Sequence, residues 1–295
     1  EMTNRKGENT MAEKEKSYSR SQMIGKIVLF AVLCLFAIIL FIPLYWMVQS
    51  SFDAACIVDA PFPPRWFPKE PSLEPYRLMF TQLPMLSYIK NTFIVAVGVI
   101  LVSGTSSMLA AYALSKIKFK GHSVVLMMTM SVLMIPFELI MIPLYSFFSQ
   151  VGLSNSYWCM WLPGLVYTFG TFFGKQYLDG IPDALREAAM IDGASEFRTF
   201  GQIYVPLMGS IIATIVVLLF LGAWNDLMWP MIALSSRSKW TIQIGLSTFT
   251  TDKGATPAPA LRMAGACVSL IPVLILYLFL QRFIVESIAL SGIKQ

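Results

Sequence analysis

A single carboxylate beside two alanines is the feature of this sequence best suited to binding a partner. Glu187, Ala188 and Ala189 stand in a polar, helix-forming segment, residues 181–207, between two long apolar runs. Small side chains let another surface approach closely, and one carboxylate orients that surface by pairing with a basic group. The chemistry indicated is docking between proteins.

The same segment predicts two helices joined at a glycine. Pro182 suits the first position of a helix, where its missing N–H would be unpaired anyway. Gly193 ends this helix and permits a sharp bend that a side chain would oppose. Ser195 can cap the second helix, and Pro206 opens the next apolar run. The prediction is a helix, glycine, helix hairpin; the alternative is an ordinary amphipathic helix lying on the membrane surface.

The composition predicts an integral membrane protein. Of the 295 residues, 56% are hydrophobic and 13% are charged, and the charged share is about half that of a typical soluble protein. The net charge is +5, with basic residues concentrated before the first apolar run and in residues 116–120. By the positive-inside rule both regions are cytoplasmic, so the charge indicates topology and no nucleic-acid partner.

Hydrophobic runs predict an all-α protein with six transmembrane helices and both termini in the cytoplasm. Each run is long enough to cross a bilayer; the runs are residues 24–48, 88–115, 124–148, 158–177, 206–233 and 262–284. Residues 1–22 are polar and predict a disordered segment. Residues 23–285 form the six-helix domain, and residues 286–295 form a short tail.

Polar side chains within these runs are costly unless they are solvated or paired. Glu138 stands between two prolines in MIPFELIMIPLY, a pattern that predicts a kinked or broken helix. It either lines or gates a translocation path or lies at the interface with no transport role. Asn225 and Asp226 end the fifth run beside two tryptophans, and they either contact a substrate or serve in helix packing.

Sequence signatures of enzymes are missing. No G-x-x-x-x-G-K-[ST] loop is present, so we do not expect this chain to bind ATP. His122 is the one histidine, which excludes paired-histidine metal sites such as H-E-x-x-H. There is no G-x-S-x-G elbow for a serine nucleophile. The sequence therefore predicts no catalytic, cofactor-binding or metal-binding residue and argues against an intramembrane enzyme.

The polar segment resembles the cytoplasmic EAA loop of the permease subunits of ABC importers. The residues that carry this resemblance are Glu187-Ala188-Ala189, Asp192, Gly193, Ala194, Ile203 and Pro206-Leu207. Further stretches, AAYALSKIKFKG, MIPFELIMIPLY, WNDLMWP and LQRFIVESIALSGIKQ, look like carbohydrate ABC permeases, in particular the smaller permease of maltose-type importers. One departure is Ser287, where that family's closing motif has a glycine.

The resemblance implies a transport subunit in the bacterial cytoplasmic membrane. Its expected partners are a second homologous permease, two ATPase subunits that bind ATP and Mg, an extracytoplasmic solute-binding protein and a carbohydrate such as a di- or oligosaccharide. The helix that carries Glu187 would dock into a cleft on an ATPase subunit. The docking residues implied are Glu187, Ala188, Ala189, Asp192, Gly193 and Ala194.

Other functions stay open at this point. An ABC permease for a non-sugar solute such as glycerol phosphate would favour basic residues lining the pore, and the predicted spans show none. A stand-alone ion-coupled transporter predicts acidic or broken-helix sites repeated in two halves of the chain, whereas Glu138 and Asp226 have no obvious counterparts. A scaffold or receptor without transport is a further alternative.

Overall fold

The described part of the protein is helical. The computed structural model describes the backbone of residues 20–57, 61, 63–248 and 258–292, and the side chains of these residues except 20–22, 280 and 282–292. Within these ranges there are helices and one isolated bridge, between Asp53 and Pro71. The predicted all-α fold is confirmed. Residues 1–19 of the predicted disordered segment, residues 293–295 of the predicted tail and the side chains of the whole tail, including Ser287, lie outside what is described.

The helices follow one another with short connections. Those of the first part of the chain are α1 (Arg20–Ser51), α2 (Glu74–Gln82), α3 (Met85–Lys116), α4 (His122–Val132), α5 (Phe137–Gln150), α6 (Trp158–Trp161) and α7 (Thr168–Asp179). Those that follow are α8 (Ala184–Ile191), α9 (Glu196–Leu207), α10 (Gly209–Asn225), α11 (Met228–Ala233), α12 (Ile242–Thr248) and α13 (Pro259–Gly292). Two helices contain a π-turn, α3 at Ile100–Gly104 and α9 at Phe200–Tyr204.

Three helices of the described chain are long and apolar enough to cross a membrane. They are Met23–Ser51 within α1, the whole of α3, and Pro259–Phe279 within α13. The number rises to five if each of two bent pairs is one span, α4 with α5 at 98° and α9 with α10 at 84°. The predicted fourth run is divided between α6, a 3-10 segment at Leu162–Val166 and α7. The count of six spans therefore stays a prediction.

Prolines explain where the predicted runs are interrupted. Ile135 precedes Pro136, and a proline ring crowds the residue before it away from helical angles. The chain accordingly leaves α4 and turns into α5 after Pro136, whose φ and ψ are −58° and 134°. Pro143 lies inside α5. The predicted break is confirmed at the first proline of MIPFELIMIPLY, and the helix continues through the second.

Buried apolar side chains form three clusters, and α3 contributes to each of them. Its residues in the three clusters are, respectively, Met85, Tyr88 and Ala96; Met108, Ala111 and Tyr112; and Val95. A Cβ atom at Gly174 of α7 would lie 2.9 Å from the Cβ atom of Ala111. Because such a contact is too short, glycine is needed there, and small residues let α3 and α7 pack closely. Small residues therefore bring the second predicted run into close contact with the fourth.

Candidate docking site

The docking hairpin, residues 181–207, begins with α8, and glycine ends this helix as predicted. Gly193 has φ +76°. Its N–H donates to the carbonyl of Met190 at 3.1 Å, and the N–H of Ala194 donates to the carbonyl of Ala189 at 2.9 Å. These two bonds are those of a Schellman motif, which needs a left-handed residue at this position. A side chain at Gly193 would meet open space, so the requirement is conformational.

The start of α8 differs slightly from the prediction. Pro182 lies before the helix, whose first residue is Ala184. The carbonyl of Asp183 accepts the N–H groups of Arg186 and Glu187 at 2.9 and 3.1 Å, and Asp183 therefore takes the capping position. The second helix begins as predicted, because Ser195 has extended backbone angles and its Oγ accepts the N–H of Arg198 at 3.4 Å.

The hairpin presents most of the predicted docking residues to the surface. The exposed ones are Glu187, Ala188, Asp192 and Gly193; Ala194 is half-buried. Ala189 is only 6% exposed, so in this chain it faces inward and its methyl group packs within the protein. Two large apolar side chains, Ile191 and Phe197, are 86% and 79% exposed. The surface thus combines acidic and apolar groups, a composition suited to binding another protein.

The carboxylate of Glu187 is free to pair with a partner. Among the ion pairs of the described residues, none includes Glu187. The other glutamate of the hairpin, Glu196, is used within the chain: the guanidinium of Arg186 pairs with it, and the Tyr112 hydroxyl donates to its Oε2 at 2.6 Å. The hairpin therefore holds one carboxylate for its own structure and leaves the other available.

The Tyr112, Arg186 and Glu196 side chains join three helices. Tyr112 belongs to α3, Arg186 to α8 and Glu196 to α9. Arg186 Nε donates to Glu196 Oε2 at 3.2 Å, and its Nη2 donates to Oε1. The bond from Arg186 lowers the pKa of Glu196 below its ordinary value, although partial burial opposes this; Glu196 in turn raises the pKa of Arg186. Both groups remain charged at neutral pH.

Lys116 makes a second attachment between α3 and the hairpin. Its side chain is 2% exposed, and Nζ donates to the carbonyl of Ile181 at 2.6 Å and to Asp183 Oδ1 at 2.8 Å. The bond from Lys116 lowers the pKa of Asp183. In the sequence, Lys116 stands out only as one of several basic residues that indicate the cytoplasmic side. Its contact with Asp183 could not be predicted, because no local spacing relates residue 116 to residue 183.

The predicted path residues lie apart from the hairpin. Glu138 is exposed in the first turn of α5, and Asn225 is exposed at the end of α10. Asp226 is half-buried, and its Oδ1 accepts the N–H of Trp229, in the first turn of α11, at 3.3 Å. The ring of Phe137 contacts Trp229, with centroids 5.7 Å apart. The structure therefore brings the start of α5 close to α11, but no hydrogen bond of the described residues joins Glu138 to Asn225 or Asp226.

Comparison with known structures defines the class of fold. A bacterial ABC transporter involved in the import of the acidic polysaccharide alginate has a similar chain, with a TM-score of 0.78. The match covers 91% of this chain and 99% of that one, at 24% sequence identity. The protein thus shares the helical fold of that chain.

Sequence comparison shows the family. Residues 103–289 match the family model described as binding-protein-dependent transport system inner membrane component. The chain belongs to this family, and it is a transport component of the inner membrane.

Curated relatives share much of the chain. The arabinooligosaccharides transport system permease protein AraQ of Halalkalibacterium halodurans is 32% identical over 77% of this chain and 81% of its own length. The inner membrane ABC transporter permease protein YcjP of Escherichia coli is 31% identical, over 94% and 99%. The trehalose/maltose transport system permease protein MalG of Thermococcus litoralis is 29% identical, over 93% and 99%. The resemblance to carbohydrate ABC permeases is confirmed.

Proposed function

We propose that this chain is a permease subunit of an ABC importer for a di- or oligosaccharide. The observation that carries the proposal is the docking hairpin, whose exposed Glu187 and Ile191 stand beside a glycine-terminated helix end, in a chain of a binding-protein-dependent family. The sugar class is supported by the names of the relatives, which transport arabinooligosaccharides and trehalose or maltose.

The proposed assembly contains a second homologous permease, two ATPase subunits that bind ATP and Mg, and an extracytoplasmic solute-binding protein. The hairpin contacts an ATPase subunit in the cytoplasm, and both termini of the chain lie on that side. Contact between Lys116 and Asp183 supports this orientation, because it joins the basic segment that begins at Lys116 to the hairpin. Both then lie on the same side of the membrane, which the positive-inside rule assigns to the cytoplasm.

Transport follows from movement of the hairpin. Closure of the ATPase subunits around ATP shifts the docked hairpin, and the helices packed against it change the side of the membrane to which the path opens. Such coupling requires that the hairpin bind the open and closed ATPase states with different free energies. The pairing of Glu187 with a basic residue of the ATPase supplies one contact whose strength can differ between the two states.

The experiment is a charge reversal in the co-expressed complex. Glu187→Lys places like charges together at the docking surface, so we expect loss of co-purifying ATPase or of sugar-stimulated ATP hydrolysis. Glu70→Lys is the matched control, because Glu70 is also exposed but lies outside the hairpin. Retention of full ATP-dependent uptake by Glu187→Lys would contradict the docking role. Uptake by the purified chain alone, without an ATPase, would instead identify an ion-coupled transporter.

A further inference from the structure

The helix α3 is attached to distant parts of the chain at both of its ends. Near its carboxyl end, Tyr112 and Lys116 bind the docking hairpin through Glu196 and Asp183. Near its amino end, α3 binds the far loop, which we define as residues 234–241, between α11 and α12. The two attachments are separated by about 30 Å along the helix, at 1.5 Å per residue. This is about the thickness of the hydrocarbon core of a bilayer.

The attachment to the far loop consists of one buried hydrogen bond, from Ile242 to Thr92, and two partly buried ones made by Asn91. Asn91 Nδ2 donates to the carbonyls of Ser238 and Trp240 at 2.8 and 2.9 Å. Thr92 Oγ1 accepts the N–H of Ile242, the first residue of α12, at 2.9 Å. Asn91 is 6% exposed and Thr92 is fully buried. Because water has little access to the buried donor and acceptor, the bond between Thr92 and Ile242 holds the start of α12 in position relative to α3, and the Asn91 bonds add to this attachment.

The helices that are covalently joined to the hairpin offer less direct connections to the far side. The chain before the hairpin passes through α7 and is interrupted by the 3-10 segment Leu162–Val166. The chain after it bends by 84° between α9 and α10. By contrast, α3 continues from Met85 to Lys116 with one π-turn at Ile100–Gly104, a feature that often marks functional positions in helices.

We propose that α3 couples the far loop to the docking hairpin, with Asn91, Thr92, Tyr112 and Lys116 as its positioning residues. This proposal rests on the proposed function, in which the hairpin contacts the ATPase in the cytoplasm. The far loop, about 30 Å away along α3, then lies on the opposite side of the membrane. A displacement of the far loop by the solute-binding protein then moves the hairpin through α3. Thermodynamic linkage requires the reverse as well: the state of the hairpin changes the affinity of the far loop for its partner.

The test is a double-mutant cycle in the co-purified complex reconstituted in nanodiscs. Thr92→Val removes the acceptor of the Ile242 N–H, and Tyr112→Phe removes the bond to Glu196. Each is expected to reduce the stimulation of ATP hydrolysis by the solute-binding protein with maltose or trehalose by about fivefold or more, a usual lower bound for coupling between sites. If both residues act through α3, the double variant loses no more stimulation than the single variant with the larger loss.

Matched variants separate coupling from general damage. Thr214→Val removes a hydroxyl whose bond among the described residues is to the carbonyl of Ser210 in its own helix, so stimulation should stay at the wild-type level. Thr92→Ser keeps the hydroxyl and should restore stimulation. The role of α3 would be overturned if Thr92→Val showed wild-type stimulation. It would also be overturned if the fold-losses of Thr92→Val and Tyr112→Phe multiplied in the double variant. If the wild-type complex itself shows no stimulation, the proposed function has failed instead.

A second measurement uses the full chain without its partners. Hydrogen exchange of the hairpin amides, residues 184–207, is compared between Thr92→Val and Thr214→Val in nanodiscs. Loss of the bond between Thr92 and Ile242 is expected to speed exchange of the hairpin amides, although no hydrogen bond of the described residues joins Thr92 to the hairpin. Equal exchange in the two variants would contradict the proposal even if Thr92→Val cannot be assembled into the complex.

Discussion

The two ends of α3 are held by different chemistry. At the hairpin end the bonds involve charges, and the Arg186 and Glu196 side chains are 24% and 31% exposed. At the far end the side chains of Asn91 and Thr92 are neutral and buried, and one charged group, Arg237, donates to the Tyr88 hydroxyl at 3.1 Å. Partly exposed ion pairs contribute little stability because water can replace either partner. Buried neutral groups lose their bonds without replacement.

This difference in chemistry indicates that the two ends of α3 differ in rigidity. The far end is the more rigid one, because moving α12 away from Thr92 would leave the N–H of Ile242 without its partner in a buried position. The hairpin end is more adjustable at the pair of Arg186 and Glu196, since these partly exposed groups can exchange their bonds for water at small cost. Lys116, whose side chain is 2% exposed, is the less adjustable contact of this end. If α3 couples the two regions as proposed, it keeps its register with the far loop and changes its contacts mainly with the docking hairpin.

The largest expected effect is at the far end. Asn91→Leu leaves the carbonyls of Ser238 and Trp240 unpaired, together with the Tyr157 hydroxyl, which donates to Asn91 Oδ1 at 2.8 Å. We expect a loss of about 3 kcal/mol in the free energy of unfolding, since each buried unpaired group costs about 1–3 kcal/mol and some will find water. Denaturation in mixed micelles, followed by tryptophan fluorescence, measures this loss.

The control for this variant is Asn225→Leu. Asn225 is exposed at the end of α10, and among the described residues it makes no side-chain hydrogen bond, so its replacement should change the free energy of unfolding by less than about 0.5 kcal/mol. If the two leucine variants were equally stable, the far end would not be the rigid attachment that the hydrogen bonds indicate.

A smaller effect is expected for Lys116→Met at the hairpin end. Methionine can fill the buried space of the Lys116 stem, and Asp183 remains 56% exposed, so water solvates the carboxylate after the cation is removed. The carbonyl of Ile181 loses its donor. We therefore expect a loss of about 1–2 kcal/mol, with faster hydrogen exchange confined to the start of α8. The same denaturation assay and exchange measurements test both expectations.

Lys118→Met is the matched control, because Lys118 is exposed and lies two residues after the end of α3. It should leave exchange in α8 unchanged. A loss of stability for Lys116→Met as large as that for Asn91→Leu would remove the distinction between the rigid and adjustable ends of α3.

Local features of the hairpin could be predicted from the sequence, whereas its attachments could not. Gly193, Ser195 and Pro136 act on residues within about four positions of themselves, so turn and capping rules are sufficient to place a helix end or a break. Lys116 and Asp183 are 67 residues apart, and Tyr112 and Glu196 are 84 apart. No spacing rule joins such residues, since their contact depends on how α3 packs against the hairpin.

The path residues illustrate a further limit. The cost of charge in a membrane identified Glu138 and Asp226 as unusual, but sequence alone left open whether each serves transport or structure. For Asp226 the structure adds a local bond to the N–H of Trp229, which favours helix packing. Glu138 has an exposed carboxylate in the first turn of α5, and a role in the path stays a prediction for it.

The smallest expected effect is a pH dependence of the free energy of unfolding, which the charged pair at the hairpin end of α3 contributes and Asn91 and Thr92 at the far end do not. The pKa of Glu196 is lowered in the folded protein by Arg186, so the unfolded chain binds a proton at higher pH than the folded chain does. The stability from this pair is therefore present above the unfolded pKa, about 4.3, and is lost as pH falls through the lower folded pKa. Unfolding free energies of the wild type and Glu196→Gln, measured between pH 3 and pH 8, test this.

The difference between the two proteins should be constant from pH 8 to about pH 5 and should narrow below about pH 4 by less than 1 kcal/mol, because the pair is partly exposed. Glu70→Gln, an exposed carboxylate outside the hairpin, should track the wild type throughout. In Asn91→Leu the acid decline should be the same as in the wild type, since neither Asn91 nor its partners titrate in this range. A decline that disappeared in Asn91→Leu would show that the far end also depends on charge, and the contrast between the two attachments of α3 would have to be abandoned.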